Sequence, residues 1–284
     1  MDNSVNAEMR EYWNGDGGAR WVSFHERLDA SLKPFGQAAM EAASLKAGER
    51  VLEVGCGCGD TSLDMARRVG PDGRVHGIDI SELILARARA RAQSTAEKNI
   101  SFECGDAQTH RFEAGSYDIF FSRFGVMFFD DPEAAFGNIR QALKPGGRAA
   151  FICWRPVKDN AWVHRPLEVV ANHVTLPPPP APEEPGPFSL GDPERVARVL
   201  TDAGFADSSA ERFDASFKVG GDLEEAIEFL MQLGPASRAI KESGADETVT
   251  SRIAAELRDA LTAHDTGQGV VMDAAAWIIT ARNP

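Results

Sequence analysis

The stretch VLEVGCGCGD, Val51 to Asp60, decides how this chain folds. Its opening residues read as a short buried strand. Glycine then stands at 55, 57 and 59, and TSLDMARRV reads as the helix that follows. Glycine at such a turn lets the backbone bend sharply and lets a ligand approach the main chain with no Cβ in the way. The amides freed at the helix start favour the polar end of a ligand. The spacing is Gly55-x-Gly57-x-Gly59, and Asp60 stands where the dinucleotide fingerprint G-x-G-x-x-G needs its third glycine. Glu53, inside the strand, would be costly to bury unless paired or liganded.

Outward from this turn, strands and helices alternate to residue 154. RVLEV (50–54), RVHGIDI (74–80), ISFECGD (ending at Asp106), YDIFFS (ending near Ser122) and GRAAFICW (ending at Trp154) read as strands. Helices are predicted over 60–69, over 81–96 with Ser81 as N-cap, and over 132–143, where LKPGGR stops the helix and turns the chain back. This alternation implies a parallel sheet covered on both faces. Asp79, Asp106 and Ser122 fall at strand C-termini, the edge where open α/β sheets bind ligands. Beyond Arg155 the rhythm breaks. A helix is predicted over 161–175, and PPPPAPEEPGP (177–187) is a stiff extended segment. Asp192 and Pro193 start a helix that Gly204 stops. A strand is predicted over 208–219, two or three helices over 222–264, and a final strand at AAAWIITAR. Val249, Ile253, Leu257 and Leu261 give one apolar helix face.

The 284 residues carry 43% hydrophobic and 26% charged side chains, an ordinary globular balance. No apolar run is long enough to span a bilayer, and the N-terminus lacks a signal-peptide pattern, so a cytoplasmic protein without membrane insertion is expected. A net charge of −13 repels a phosphate backbone, which argues against nucleic acid as a partner. The basic cluster Arg87, Arg89 and Arg91 reads as a solvated helix face. Cys56, Cys58, Cys104 and Cys153 form no paired C-x-x-C knuckles, so structural thiols are expected and no metal.

Taken together, VLEVGCGCGD, GIDIS, GDAQ, YDIFFSRFGVMFF and LKPGGR make the chain resemble the class I S-adenosylmethionine-dependent methyltransferases, in motif detail over roughly residues 45–155. SRFGVMFFDDP and the N-terminal YWN…RW element are similar to a small-molecule subgroup related to the ubiquinone/menaquinone C-methyltransferases. The resemblance implies a Rossmann-like α/β fold: a seven-stranded, mostly parallel sheet whose last strand, AAAWIITAR, is antiparallel, with helices on both faces and a helical cap. It implies S-adenosyl-L-methionine as cofactor and S-adenosyl-L-homocysteine as product. Gly55, Cys56, Gly57 and Gly59 would lie along the methionine part, which Glu53 would face. Asp79 and Ile80 would hold the ribose, Asp106 and Ala107 the adenine, and Ser122 would sit near the reacting methyl. The Asn/Asp-Pro-Pro-Tyr/Phe motif of amino-group and nucleic-acid-base methyltransferases is missing, which again points to a small-molecule acceptor.

Methyl transfer from a sulfonium needs mainly positioning and exclusion of water, so an acid–base residue is not obligatory. Candidate bases are His110, Tyr12 and His25, each with a bland alternative: a solvated loop for His110 and lid packing for the other two. Arg123 could bind an acidic substrate or pair with Asp130 or Asp131. Phe124, Met127 and Trp162 line an apolar acceptor pocket or serve as core under a lid. His164 and His173 read as surface residues. Asp79 also has a plainer reading, as a cap on the following helix.

The expected organisation is an N-terminal helical lid (1–45), a cofactor-binding core (46–155), a cap insertion with the proline-rich segment (156–190), and the rest of the sheet with a helical insertion at 222–264 (191–284). Three rival readings are an NAD(P)-dependent oxidoreductase, a non-catalytic S-adenosylmethionine-binding module, and an enzyme that uses the sulfonium charge for a rearrangement or cyclisation. Monomer and homodimer both stay open.

Overall fold

A computed structural model describes residues 5–181 and 183–284, so residues 1–4 of the expected lid and Pro182 of the proline-rich segment lie outside the described residues. Three helices lead in: α1 (Ala7–Asn14), α2 (Asp16–Ser23) and α3 (His25–Ala43). In α3, Leu28, Leu32, Phe35, Ala39 and Ala43 recur at three- and four-residue intervals and are all buried, which gives it one apolar stripe. Arg148 caps its C-terminus, with Nε 2.7 Å from the Ala43 carbonyl and Nη2 2.8 Å from that of Ser44.

The core then alternates β1 (Arg50–Val54), α4 (Asp60–Val69), β2 (Arg74–Asp79), α5 (Glu82–Gln93), β3 (Ile100–Cys104), β4 (Tyr117–Arg123), α6 (Pro132–Ala142) and β5 (Leu143–Trp154). After α7 (Ala161–Ala171) and α8 (Pro193–Asp202) comes β6 (Ala206–Gly220). The helices α9 (Leu223–Gln232), α10 (Gly234–Ser243) and α11 (Glu247–Thr262) separate it from β7 (Val270–Arg282). The seven strands form one sheet in the order β3-β2-β1-β4-β5-β7-β6, with β7 antiparallel to both neighbours. The fold therefore matches the expected one, the last strand included. Central β1 and β4 are buried almost throughout, as a parallel sheet covered on both faces requires.

Local signals hold where the chemistry is local. Ser81 accepts the Ile84 amide at 3.2 Å as the N-cap of α5, and Asp192 accepts the Glu194 amide at 3.0 Å at the start of α8. Ile253, Leu257 and Leu261 are buried on α11, and Val249 packs at the margin. LKPGGR stops α6 at Ala142 as expected, and its turn lies as a bulge at the start of β5: Leu143 pairs with Tyr117 and Arg148 with Ile119, with Gly146 between them at φ 77°. Asn283 stitches this stretch down, its side-chain amide donating to the carbonyls of Leu143 and Lys144, both at 3.0 Å.

The order of strands fixes where a ligand can sit. From β1 the chain moves outward to β2 and β3, then returns to the other side of β1 as β4. At such a reversal the loops leaving β1 and β4 diverge to opposite faces and open a crevice at the strand C-termini.

Candidate cofactor and acceptor site

The loops at this crevice touch backbone to backbone. Gly55, Gly57 and Gly59 have φ of 68°, 56° and 81°, the left-handed region that glycine adopts without strain. A Cβ on Gly55 would stand 2.6 Å from Cα of Gly125, and one on Gly125 would stand 2.7 Å from the Val54 carbonyl oxygen. Both glycines are thus required by the close approach of the β1 and β4 exits. Gly55, Gly57, Asp79, Ile80 and Gly125 are all partly exposed, so the crevice is lined by main chain and by the end of β2.

Asp79 joins two turns. Its Oδ2 accepts the Gly57 amide at 2.9 Å and its Oδ1 accepts the Ser81 amide at 3.0 Å. The helix cap on α5 is Ser81. Burial raises the Asp79 carboxyl above its usual range, against the lowering effect of these backbone donors.

Glu53 is fully buried. Its two oxygens accept hydrogen bonds from the hydroxyls of Thr61 and Ser62, at the start of α4. It thereby ties β1 to α4 across the glycine turn. Burial pushes its carboxyl up to about 7, partly offset by the two hydroxyls and by Arg123. The expectation that Glu53 faces the methionine part is corrected to this extent: both carboxylate oxygens are engaged by α4. Cys56 and Cys58 are buried thiols that fill the turn, their titration pushed up chiefly by burial.

At the third strand end, Asp106 is buried, and its Oδ1 accepts the Gln108 amide at 2.9 Å. Its Oδ2 accepts the side-chain amide of Asn6 at 2.8 Å, and Arg10 stands 3.8 Å away. Asn6 is itself buried, with φ 52°, and exchanges two further bonds with Asp130: the Asn6 amide donates at 2.7 Å and its Oδ1 accepts the Asp130 amide at 2.6 Å. Ala107 lies beside Asp106 and is held by Asn138, which donates to its carbonyl at 2.8 Å. Asn14 donates to the Ile80 carbonyl at 3.1 Å, and Trp13, edge-on to Trp21 and Phe128, closes the α1–α2 lid over this end. Asn6 and Arg10 were not readable as site residues, since their partner is about a hundred positions away and no local pattern marks them.

Ser122 ends β4. Its hydroxyl donates to the Val54 carbonyl at 2.7 Å and accepts the Gly125 amide at 3.2 Å, so it pins the two loops together. Phe124 follows with φ 59°, an uncommon conformation for a bulky residue, and stacks on Trp154 with centroids 3.9 Å apart. Trp162 stacks on Phe217 at 4.5 Å. Met127 is buried, and its carbonyl accepts Gly186 and Ser189, which anchors the proline-rich segment. Trp154, at the C-terminus of β5, was passed over as a pocket residue although its strand-end position marked it.

The base candidates are not gathered at Phe124. Tyr12 is half exposed, edge-on to Trp13. His25 has both ring nitrogens engaged, one 2.8 Å from the Val22 carbonyl and the other accepting Arg87 at 3.0 Å. His110 packs at a tilt of 57° against Phe112, centroids 4.6 Å apart, and lies 3.8 Å from Glu103. His164 and His173 pair with Glu168 and Glu256. Arg123 does not pair with Asp130 or Asp131. Its guanidinium reaches Asp60 at 3.0 Å and Asp29 at 3.3 Å, because the strand end directs it toward α3 and α4. Arg91 completes a ring on the same two carboxylates at 2.7 and 3.4 Å, so this member of the basic cluster turns inward.

Comparison with known proteins matches this geometry. Residues 51–147 match the family described as "Methyltransferase domain". That segment is about a third of the chain and is similar to a methyltransferase domain. Aklanonic acid methyltransferase DauC of Streptomyces sp. (strain C5) is 36% identical over 130 residues, 45% of this chain and 59% of that protein. The chain therefore spans less than two thirds of that relative's length. Nocamycin O-methyltransferase of Saccharothrix syringae is 27% identical over 266 residues, 88% of this chain and 91% of that protein. Among solved structures, the YcgJ protein of Bacillus subtilis shares the fold, with TM-score 0.57 and 18% identity over 87% of this chain and 97% of that one. The matched segment carries the glycine turn, Asp79, Asp106 and Ser122. The lid helices and α7–α11 lie outside it. No helix among the described residues is long and apolar enough to cross a membrane.

Proposed function

We propose that this chain binds S-adenosylmethionine at the β1/β4 crevice and transfers its methyl group to a small-molecule acceptor. One observation carries the reading: three glycines with positive φ bring side-chain-free backbone to the crevice beside a carboxylate, Asp79, that is itself bonded to that turn. The residues fit the cofactor. A Cβ at Gly55 would collide with Gly125, so the turn is built for bare backbone; an acid, Asp79, ends β2, and another, Asp106, follows β3. Asp79 would take the ribose hydroxyls, Asp106 and Ala107 the adenine, and the Gly55–Gly59 turn the amino-acid end. When bound, the cofactor supplies an electrophilic methyl group on a sulfonium.

The chain's own work is then positional. Ser122 fixes the distance between the β1 and β4 loops, the lid of α1 and α2 excludes water, and the rings around Phe124 receive the acceptor. The pairings of His25, His110 and Arg123 support a site that works without a dedicated side-chain base. A net charge of −13 makes a phosphate-rich polymer a poor acceptor, and a cytoplasmic site of action follows from the reducing environment that four unpaired thiols suit.

Calorimetry with S-adenosylmethionine, S-adenosylhomocysteine and NAD(H) in parallel tests the reading. Heat with the first two alone is expected. Heat with NAD(H), or with none of them, overturns it. Release of S-adenosylhomocysteine in the presence of an acceptor separates methyl transfer from a rearrangement.

A further inference from the structure

Four amides at the exit of β1 are spent on the protein itself. Those of Gly55 and Cys56 donate to the Ile78 carbonyl at 2.8 and 3.2 Å, that of Gly57 to Asp79 at 2.9 Å, and that of Gly59 to the Cys56 carbonyl at 3.0 Å. Around Gly57 the turn therefore offers bare surface, and a donor for a ligand there has to come from elsewhere. The lid supplies one. Apart from the chain neighbours of Gly57, the space that a Cβ on it would enter has a single heavy atom within 4 Å, the indole Nε1 of Trp21, at 3.5 Å. Trp21 is only partly exposed, and its N–H has no acceptor among the described residues. An indole nitrogen donates and does not accept, and a half-buried one ordinarily finds a partner.

The lid is built to hold this indole in place. A Cβ on Gly18 would stand 1.9 Å from the Trp13 carbonyl oxygen, so glycine is what lets α1 and α2 close on each other. Trp21 follows Gly18 by three residues, on the same face of α2, and meets the Trp13 ring edge-on at 5.7 Å and 88°. The end of α1 is fastened to the exit of β2. The Ser81 hydroxyl donates to the Trp13 carbonyl at 2.7 Å, and the Asn14 side chain donates to the Ile80 carbonyl and accepts the Glu82 amide, both at 3.1 Å. On its other side α2 is held by Lys241 on Asp16 at 2.8 Å and by Arg20 on the Gln232 carbonyl at 3.3 Å. The YWN…RW pattern thereby gains a physical reading: Trp13 and Asn14 anchor the lid, Gly18 closes the hairpin, and Trp21 meets the glycine turn.

We infer that Trp21 is a cofactor-binding residue whose indole N–H donates to the carboxylate at the amino-acid end of S-adenosylmethionine, beside Gly57. The inference rests on the methyl-transfer reading and deepens it. Donor and acceptor chemistry select the group. Asp79 accepts, which suits ribose hydroxyls, whereas Trp21 donates, which suits an acceptor. Of the two charged groups at the amino-acid end, the ammonium has no lone pair to offer, so the carboxylate is the partner. A nucleoside without the amino-acid end leaves the indole N–H as it is.

The test uses the full chain and three probes that differ at the amino-acid end: S-adenosylhomocysteine, its decarboxylated analogue, which keeps the amine, and 5′-methylthioadenosine, which has neither group. By calorimetry the parent is expected to bind S-adenosylhomocysteine at least tenfold more tightly than the decarboxylated analogue. Trp21→Phe keeps a ring against Trp13 and removes the donor. It is expected to weaken S-adenosylhomocysteine about tenfold, as the loss of a hydrogen bond to a charged group does, and to leave the other two probes within twofold of the parent. A measurement on the parent needs no variant: among its indole N–H resonances, followed by isotope-edited NMR, one is expected to move downfield with S-adenosylhomocysteine and not with 5′-methylthioadenosine. Equal binding of S-adenosylhomocysteine and its decarboxylated analogue by the parent overturns the inference. So does a Trp21→Phe protein that binds S-adenosylhomocysteine as the parent does or weakens all three probes alike, and so does the absence of such a resonance. A parent that binds none of the three sinks the methyl-transfer reading and this inference with it, whereas a parent that binds them beside an unchanged variant sinks the role of Trp21 alone.

Discussion

The amide of Gly57 points at Asp79 Oδ2 across 2.9 Å, so the carboxylate that ends β2 also closes the glycine turn that ends β1. Removing this carboxylate takes away a charged acceptor from the turn and, in the proposed binding mode, from the ribose hydroxyls. Hydrogen bonds to charged groups contribute about 1.5–3 kcal/mol each. Asp79→Ala is therefore expected to weaken S-adenosylhomocysteine roughly tenfold to a hundredfold, measured by calorimetry. Asp79→Asn, which keeps an acceptor for Gly57, should lose less. An Asp79→Ala protein that binds as tightly as the parent would remove Asp79 from the site.

Glu53 makes stability depend on pH in an unusual direction. Its carboxyl titrates near 7 in the folded chain, against about 4.3 when unfolded. A folded value above the unfolded one means the native state holds more protons between them. The Glu53 contribution to stability is then fully present below about pH 4 and is lost as pH rises toward 7, by at most about 1.4 kcal/mol per unit. Glu53→Gln removes this term. Urea unfolding at pH 5 and at pH 7 is expected to show the parent losing stability relative to the variant as pH rises. Parallel curves would show that the carboxyl is not protonated in the fold.

What could be read from the chain beforehand follows the range of each interaction. The glycine turn, the Ser81 and Asp192 caps and the alternation of strand and helix are set by neighbours a few residues apart, and each stands as expected. The last strand was read from the sequence itself, and only its antiparallel sense came from family likeness. Arg123 was legible as a charge but not by partner, because Asp29 and Asp60 lie 94 and 63 positions away and only the packing of α3 on the sheet brings them in. The same holds for Asn6 on Asp106, and for the Trp21 indole beside Gly57. LKPGGR was legible as the stop of α6 and as a turn, but not as a bulge inside β5, because Asn283, far along the chain, holds it there.

Asp29, Asp60, Arg91 and Arg123 form a closed ring of alternating charge that joins α3, α4, α5 and β4. Arg123 is its most enclosed member, with 9% of its side chain exposed. Deleting one partner of a buried pair leaves an uncompensated charge and costs about 3–5 kcal/mol, and the partial exposure of the other three members places this ring toward the low end. Arg123→Met is expected to lower unfolding stability by about 3 kcal/mol, and adding Asp60→Asn to recover part of it. Additive losses in that double-mutant cycle would show that the ring is not coupled.

Asn6 places its carboxamide on Asp106 and both its backbone amide and its Oδ1 on Asp130. The lid is thus latched over the adenine end by one residue in a left-handed conformation. Asn6→Ala removes the side-chain contacts and favours an extended backbone. Faster release of S-adenosylhomocysteine is expected, by about tenfold if one net hydrogen bond of roughly 1–1.5 kcal/mol is lost, measured by stopped-flow displacement. An unchanged release rate would mean that the lid opens elsewhere.

The contact between Gly55 and Gly125 offers the most direct test of the crevice. A methyl group on Gly125 would lie 2.7 Å from both Gly55 Cα and the Val54 carbonyl oxygen, and neither can yield without moving β1. Gly125 has φ −91°, so alanine there is not strained in its own backbone, and any effect arises from the contact. Gly125→Ala should therefore push the β4 exit away from the glycine turn and weaken the Ser122 bond to Val54. Overpacking of this kind costs about 1–3 kcal/mol in stability. Cofactor binding should fall more steeply than stability, because the backbone of the turn is displaced directly. Gly137→Ala, on α6 with open space around it, serves as the control: it should leave cofactor binding unchanged and raise stability by about 0.5–1 kcal/mol, the usual gain of alanine over glycine inside a helix. If Gly125→Ala lowers the melting temperature while calorimetry returns the parent's affinity, the two loops do not meet at the ligand, and the crevice lies elsewhere along the sheet edge.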